Sequence, residues 1–277
     1  MSQILSIARP DSVRSVRLDT DRGTFAAFTA APPAPRGTAL LVPGFNGSKE
    51  DFLPLLPGLA EAGYRVVAID QRGQYETGPA SESPSYAPED LASDLLALAG
   101  TLGPVHLVGH SYGGLVSRLA VLNTPSAVGT WASLTLLNFG PAAVSEPTRE
   151  RLRLLLDALR TTPVPDLWPF LRPEDGGVSE EVLAFLSDRW ARNAPEALRL
   201  AAERMITEPD RSEALRGTGI PLSVVFGTPE DTWPEREAAS MARELGARYT
   251  EITGGGHSPN VYEPQAVIEA LTSFWNA

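Results

Sequence analysis

Short apolar runs alternate with segments of helical period along most of this chain, and few folds accommodate that rhythm. The runs "TALLV", "RVVAID", "VHLVGH", "ASLTLLNFG", "PLSVVFG" and "RYTEIT" are too continuous for strands with one wet face. They read as strands buried on both faces, as in a parallel sheet. Between them lie "SKEDFLPLLPGLAEAGY", "PEDLASDLLALAGTL", "YGGLVSRLAVLN" and "PEREAASMARELG", each read as a helix, and "EPQAVIEALTSFWNA" follows the last run. Ser48 and Asp51 stand at capping-box spacing at the head of the first helix, where acidic Glu50 and Asp51 suit the first turn. Strand–helix alternation of this kind implies right-handed βαβ units and a doubly wound, mostly parallel α/β sheet. Two extended segments, "SVRSVRLDT" and "TFAAFTA", precede it and are joined by the turn "DRG".

The rhythm breaks once. From about Pro141 to Arg216 only helical pieces occur, among them "EPTRERLRLLLDALR", "SEEVLAFLSDRWA" and "PEALRLAAERMI", with Trp168, Phe170, Phe185 and Trp190 among them. The expected organisation is an α/β core of residues 1–140 and 217–277, with a helical lid or cap, 141–216, inserted between two sheet strands. The aromatics of the insertion either line a pocket or pack the lid.

Composition excludes several functions. With 43% hydrophobic residues the chain can bury a large core, and 21% charged residues argues against disorder. A formal net charge of −11, a single lysine (Lys49) and scattered arginines disfavour nucleic acid and anionic membrane surfaces as partners. There is no cysteine, which removes thiolate chemistry and Cys-ligated metal, and three histidines make a histidine-rich metal site improbable. No cofactor and no metal is expected. The N-terminal "MSQILSIARPDSVRSVRLDT" has no basic stretch followed by a long apolar one, and no run approaches the ~18 apolar residues of a membrane span. The expectation is a soluble, cytoplasmic protein.

Chemistry concentrates at "GHSYGG", Gly109 to Gly114, between a strand and a helix. Gly-x-Ser-x-Gly in that context is the nucleophile-elbow pattern: a sharp turn strains the serine backbone and leaves the hydroxyl at the carboxyl end of the sheet. Ser111 is therefore the candidate nucleophile, against the plainer role of a helix-capping serine. A serine hydroxyl needs a base. His106 lies inside a strand and reads as a packed residue, and His110, adjacent to Ser111, is expected to pack beside the elbow. His257, in the glycine-rich loop "GGGHSPNVYEP", is the candidate base. Glu230 and Asp231, in the turn "GTPEDTWP", are both available to orient its ring.

The order serine, acid, histidine and the blocks "LLVPGFNGSKEDF", "VVAIDQRGQ", "LVGHSYGG", "LLNFGP", "VVFGTPEDTWP" and "GGGHSPNVYEP" resemble the α/β-hydrolase superfamily, in its serine-hydrolase (esterase/lipase-like) branch with a helical lid. The resemblance covers nearly the whole chain. It implies oxyanion donors at the backbone N–H of Phe45 and of Tyr112. It places the family's aspartate at Glu230, three residues after Gly227, with Asp231 as the alternate acid. A second departure is Pro43-Gly44, where the family commonly has His-Gly. Asp70 and Arg72 match a family loop that holds neighbouring turns.

The implied activity is cleavage of an ester, thioester or lactone of a small-molecule acyl substrate. Rival readings are an aminopeptidase of the proline-iminopeptidase kind, with Glu174, Asp175, Glu180 or Glu181 meeting a substrate amine, and a cofactor-free perhydrolase. A non-catalytic small-molecule receptor on the same fold is the alternative outside enzymes.

Overall fold

The computed structural model describes residues 4–78, 85–172 and 178–277. Eight strands form one sheet in the order β1-β2-β4-β3-β5-β6-β7-β8. They are β1 (Arg14–Thr20), β2 (Gly23–Ala30), β3 (Gly37–Val42), β4 (Tyr64–Ile69), β5 (Val105–His110), β6 (Trp131–Leu137), β7 (Leu222–Thr228) and β8 (Arg248–Thr253). The β1–β2 hairpin joins the edge of β4 antiparallel, and every pairing from β4 through β8 is parallel.

Alternation along the central strands divides the core between the two faces. Leu40, Val42, Leu107, Val224 and Phe226 belong to one apolar cluster, with the helices α2 (Pro88–Leu102) and α3 (Tyr112–Asn123). Their neighbours Ala39, Leu41, Val108 and Val225 face the other cluster, with the helix α1 (Leu56–Glu61). This is why the strands read as unbroken apolar runs: successive side chains point to opposite faces, and both faces are covered.

The helix expected over "SKEDFLPLLPGLAEAGY" is not continuous. A 3₁₀ turn, Lys49–Phe52, precedes α1, which begins only at Leu56. Pro54 and Pro57 explain the break, since neither has an N–H to donate to the carbonyl four residues back. At the head of the turn the Ser48 N–H donates to the Asp51 carboxylate at 3.3 Å. Lys49, 1% exposed, has Nζ at 2.9 Å from Glu50, 3.1 Å from Asp70 and 2.7 Å from Glu76.

Between β6 and β7 the described residues are helical or irregular, with α4 (Glu146–Leu159), α5 (Glu180–Ala191), α6 (Pro195–Thr207) and α7 (Ser212–Arg216). Buried ion pairs tie this segment to the sheet domain: Arg189 of α5 donates to Asp51 at 2.6 Å, and Arg118 of α3 donates to Glu208 at 2.6 Å. After β7, α8 (Glu235–Leu245) packs into the first cluster, and α9 (Pro264–Trp275) follows β8 and covers the second. Among the described residues no helix is long and apolar enough to cross a membrane.

Candidate active site

Ser111 sits between β5 and α3 with φ 53° and ψ −121°, a left-handed backbone that costs a non-glycine residue on the order of 1–3 kcal/mol. Small neighbours make the turn possible. A Cβ on Gly113 would lie 2.4 Å from the carbonyl oxygens of Val42 and Pro43, and one on Gly109 would lie 2.4 Å from that of Gly113. The strand, the elbow and the loop after β3 are thus packed backbone to backbone.

The Ser111 hydroxyl is 3.1 Å from His257 Nε2, and His257 Nδ1 is 2.6 Å from Glu230 Oε2. The three come from the carboxyl ends of β5, β7 and β8, where an open α/β sheet places its ligands. Glu230 is fully enclosed, and its carboxylate also accepts from the Asn138 amide at 2.8 Å and from the Thr232 N–H at 2.6 Å. Burial pushes this carboxyl up, but the hydrogen bond and charge of His257, with the Thr232 and Asn138 donors, outweigh it and hold the group at about 2. Glu230 is therefore ionised throughout the neutral range. Asp231 points away. Its side chain is 69% exposed and pairs with Arg151 at 2.8 Å.

A cavity of about 590 Å³ opens above Ser111 and His257. Gly44, Phe45 and Asn46 line it on one side, and Leu152, Leu155, Leu171, Trp190 and Met205 form an apolar wall opposite. Thr148, Arg151, Asp231 and Tyr262 are also in the lining. Tyr112 is the first residue of α3, so its N–H is one of the four without an acceptor inside the helix. Gly44 rests against the serine: a Cβ there would lie 3.2 Å from Ser111 Cβ.

The remaining candidates stand elsewhere. Asp70 accepts from the backbone and Nζ of Lys49, and Arg72 donates to Asp94, so both hold turns and neither lines the cavity. Of the insertion aromatics only Trp190 lines it. Phe185 packs edge-on against Tyr75 at 5.4 Å, Phe170 is 84% exposed, and Trp168 packs between the insertion's own apolar cluster and the one that contains Ile4. Glu180 and Glu181 are exposed in the first turn of α5, away from the cavity, while Glu174 and Asp175 lie outside the described residues.

Two further residues join the site through contacts that the sequence did not specify. Asn138, at the end of β6 with φ 43°, donates to Glu230 and to the Gly256 carbonyl at 2.9 Å, and accepts from the Gly227 N–H at 2.9 Å. It joins β7 and the turn that carries Glu230 to the loop that carries His257. His110, 1% exposed, does more than pack beside the elbow: its Nε2 is 2.7 Å from the His257 carbonyl. A carbonyl only accepts, so Nε2 carries the proton. Burial first, then the nearby His257 ring, lowers the His110 imidazole to about 4, and burial alone does the same for His106. Both rings therefore stay neutral in the folded protein while the unfolded chain takes up protons below its ordinary value of 6.5. The stability they contribute is complete above that value and is lost as pH falls toward about 4. Melting temperature is expected to decline across this window, and His106→Asn, which keeps a polar partner for Ser133, should make the decline shallower. An identical slope in the variant would show that His106 is not one of the groups responsible.

Residues 39–270 match the family described as "Alpha/beta hydrolase family". This chain belongs to that family. Among curated relatives of this alpha/beta hydrolase, a protein of Variovorax paradoxus named "Putative carbamate hydrolase RutD" is 44% identical over 108 residues, 38% of this chain and 39% of the relative. A RutD of the same name from Stutzerimonas stutzeri is 32% identical, and 60% of it is matched, so this alpha/beta hydrolase spans less than two thirds of either RutD. The mouse sn-1-specific diacylglycerol lipase ABHD11 is 24% identical over 83% of this chain and 78% of its own. The solved enol-lactonase from Burkholderia xenovorans LB400 superposes with a TM-score of 0.76 at 20% identity, over 95% of this chain and 100% of the other, a likeness of fold.

Proposed function

We propose that this alpha/beta hydrolase is a serine hydrolase that cleaves a carboxylic ester, thioester or lactone through an acyl-enzyme. The observation that carries the reading is the continuous hydrogen-bonded series from Ser111 Oγ through His257 to Glu230, with Ser111 and His257 in the lining of the cavity. His257 Nε2 takes the hydroxyl proton as Ser111 Oγ attacks the acyl carbonyl. The carbonyl oxygen becomes an oxyanion, and the N–H groups of Phe45 and Tyr112 hold it. Collapse of the tetrahedral intermediate breaks the bond to the leaving oxygen or sulfur, which takes the proton from His257. Water then repeats the sequence on the acyl-enzyme and releases the acid and the free serine. Glu230 keeps Nδ1–H directed away from the serine and stabilises the imidazolium.

Residues 141–216 act here as the lid, because their side chains supply the apolar wall of the cavity. That wall favours an apolar acyl or alcohol group over a charged one. Both parts of the reading are testable with p-nitrophenyl esters of increasing chain length. Hydrolysis without added metal is expected, with an optimum at an intermediate length. Leu155→Trp, which fills part of the wall, should move that optimum to shorter esters by two carbons or more. An unchanged length profile would remove the insertion from substrate selection.

A further inference from the structure

The loop after β3 lacks the histidine common in the family, yet its two leading carbonyls are held by side chains from another element. Gln74 Nε2 donates to the Gly44 carbonyl at 2.9 Å, and Gln71 Nε2 donates to the Pro43 carbonyl at 2.9 Å. Both glutamines are buried, 6% and 3% exposed. They brace each other: the Gln71 N–H donates to Gln74 Oε1 at 3.2 Å, and the Gln74 N–H donates to the Gln71 carbonyl at 2.9 Å. Their turn is anchored in the sheet, since the Ala26 N–H donates to Thr77 Oγ1 at 2.9 Å and the Asp70 N–H to the Ala26 carbonyl at 2.9 Å.

We propose that Gln74 is a positioning residue for the oxyanion site, aiming the Phe45 N–H by holding the carbonyl of the same peptide. The inference rests on the serine-hydrolase reading above. The Gly44–Phe45 peptide is trans, so its C=O and N–H point in opposite directions. Fixing the carbonyl behind the loop therefore turns the N–H to the face that meets Ser111. The Gly47 N–H donates to the same carbonyl at 3.1 Å and closes the turn, so the carbonyl accepts two donors and Gln74 supplies the shorter bond. Donation into a peptide carbonyl also polarises the amide and strengthens its N–H as a donor. Gln71 performs the parallel service one peptide earlier.

The test separates aim from folding. Gln74→Met keeps the chain length and removes the donor, and Gln74→Glu sets a carboxylate against the carbonyl. In each, kcat on p-nitrophenyl butyrate is expected to fall about tenfold or more, a fraction of the ~10²–10³ lost with a whole oxyanion donor, while KM changes by less than about threefold. Affinity for a trifluoromethyl ketone, whose adduct places an oxyanion in the same position, should weaken in proportion to kcat. The rate of fluorophosphonate labelling provides the same comparison without a substrate. If kcat, ketone affinity and labelling rate all stay within twofold of wild type in either folded variant, Gln74 has no part in aiming the N–H. If KM and melting temperature shift and ketone affinity does not follow kcat, the role is structural and the proposal fails. Wild-type protein that reacts with neither probe overturns the serine-hydrolase reading, and the Gln74 assignment with it. Labelling of wild-type Ser111 upholds that reading whatever the glutamine variants do.

Discussion

Ser111→Ala is expected to lower ester hydrolysis by about 10⁴–10⁶-fold in kcat and to abolish fluorophosphonate labelling, with a melting temperature close to wild type. The size of the loss follows from the proposed chemistry: without Oγ no acyl-enzyme would form, and only binding and the proposed oxyanion donors would remain. The stability expectation follows from the backbone. Alanine is as strained as serine at φ 53°, and the residues that enforce the elbow, Gly109 and Gly113, are untouched. Steady-state kinetics, labelling and a melting curve on the same preparation suffice. More than a tenth of wild-type turnover in the alanine variant would remove Ser111 as nucleophile.

Glu230→Gln is expected to cut kcat by about 10²–10⁴-fold, while Asp231→Asn stays within about threefold of wild type. The carboxylate receives donors on both oxygens, from Thr232 N–H on one and from Asn138 Nδ2 and His257 Nδ1 on the other. A glutamine must turn its NH₂ toward one of these sets, so donor faces donor in a buried site. Either the His257 tautomer is reversed or the Thr232 turn is pushed open. Loss of the negative charge also leaves the imidazolium unsupported. The melting temperature should fall with activity, because unpaired buried donors cost about 1–3 kcal/mol each. Asp231 loses only an exposed pair with Arg151, worth about 0–1 kcal/mol. Kinetics of the two variants side by side decide the matter, and the reverse ranking would transfer the acid's role to Asp231.

The regular elements were legible where local physics is sufficient. "PEDLASDLLALAGTL" and "YGGLVSRLAVLN" coincide with helices at Pro88–Leu102 and Tyr112–Asn123, the first opened by proline at its first turn and closed by Gly103. The segment after Ser48 misled, because helical periodicity in the apolar residues outweighed two prolines in the reading but not in the structure. At the site, the elbow and the histidine loop stand out as departures from packing logic: a hydroxyl and runs of glycine occur where apolar residues would pack better. The acid is harder. Which of two adjacent carboxylates faces inward depends on how the chain leaves β7, and no periodicity reports that; only the register from Gly227 pointed to Glu230. His110 and Gln74 were out of reach for a different reason. Their partners are carbonyl groups, present at every residue, so a contact such as His110 to the His257 backbone, 147 positions away, leaves no trace in composition or pattern.

The burial of Lys49 has a practical consequence. It is the chain's single lysine, enclosed by Glu50, Asp70 and Glu76. A lysine-specific protease has one bond to cut, and it can reach that bond only after the ammonium has left its three carboxylates. Each cleavage thus requires an opening of the segment that carries Lys49, so the structure contains its own single-site reporter of local unfolding.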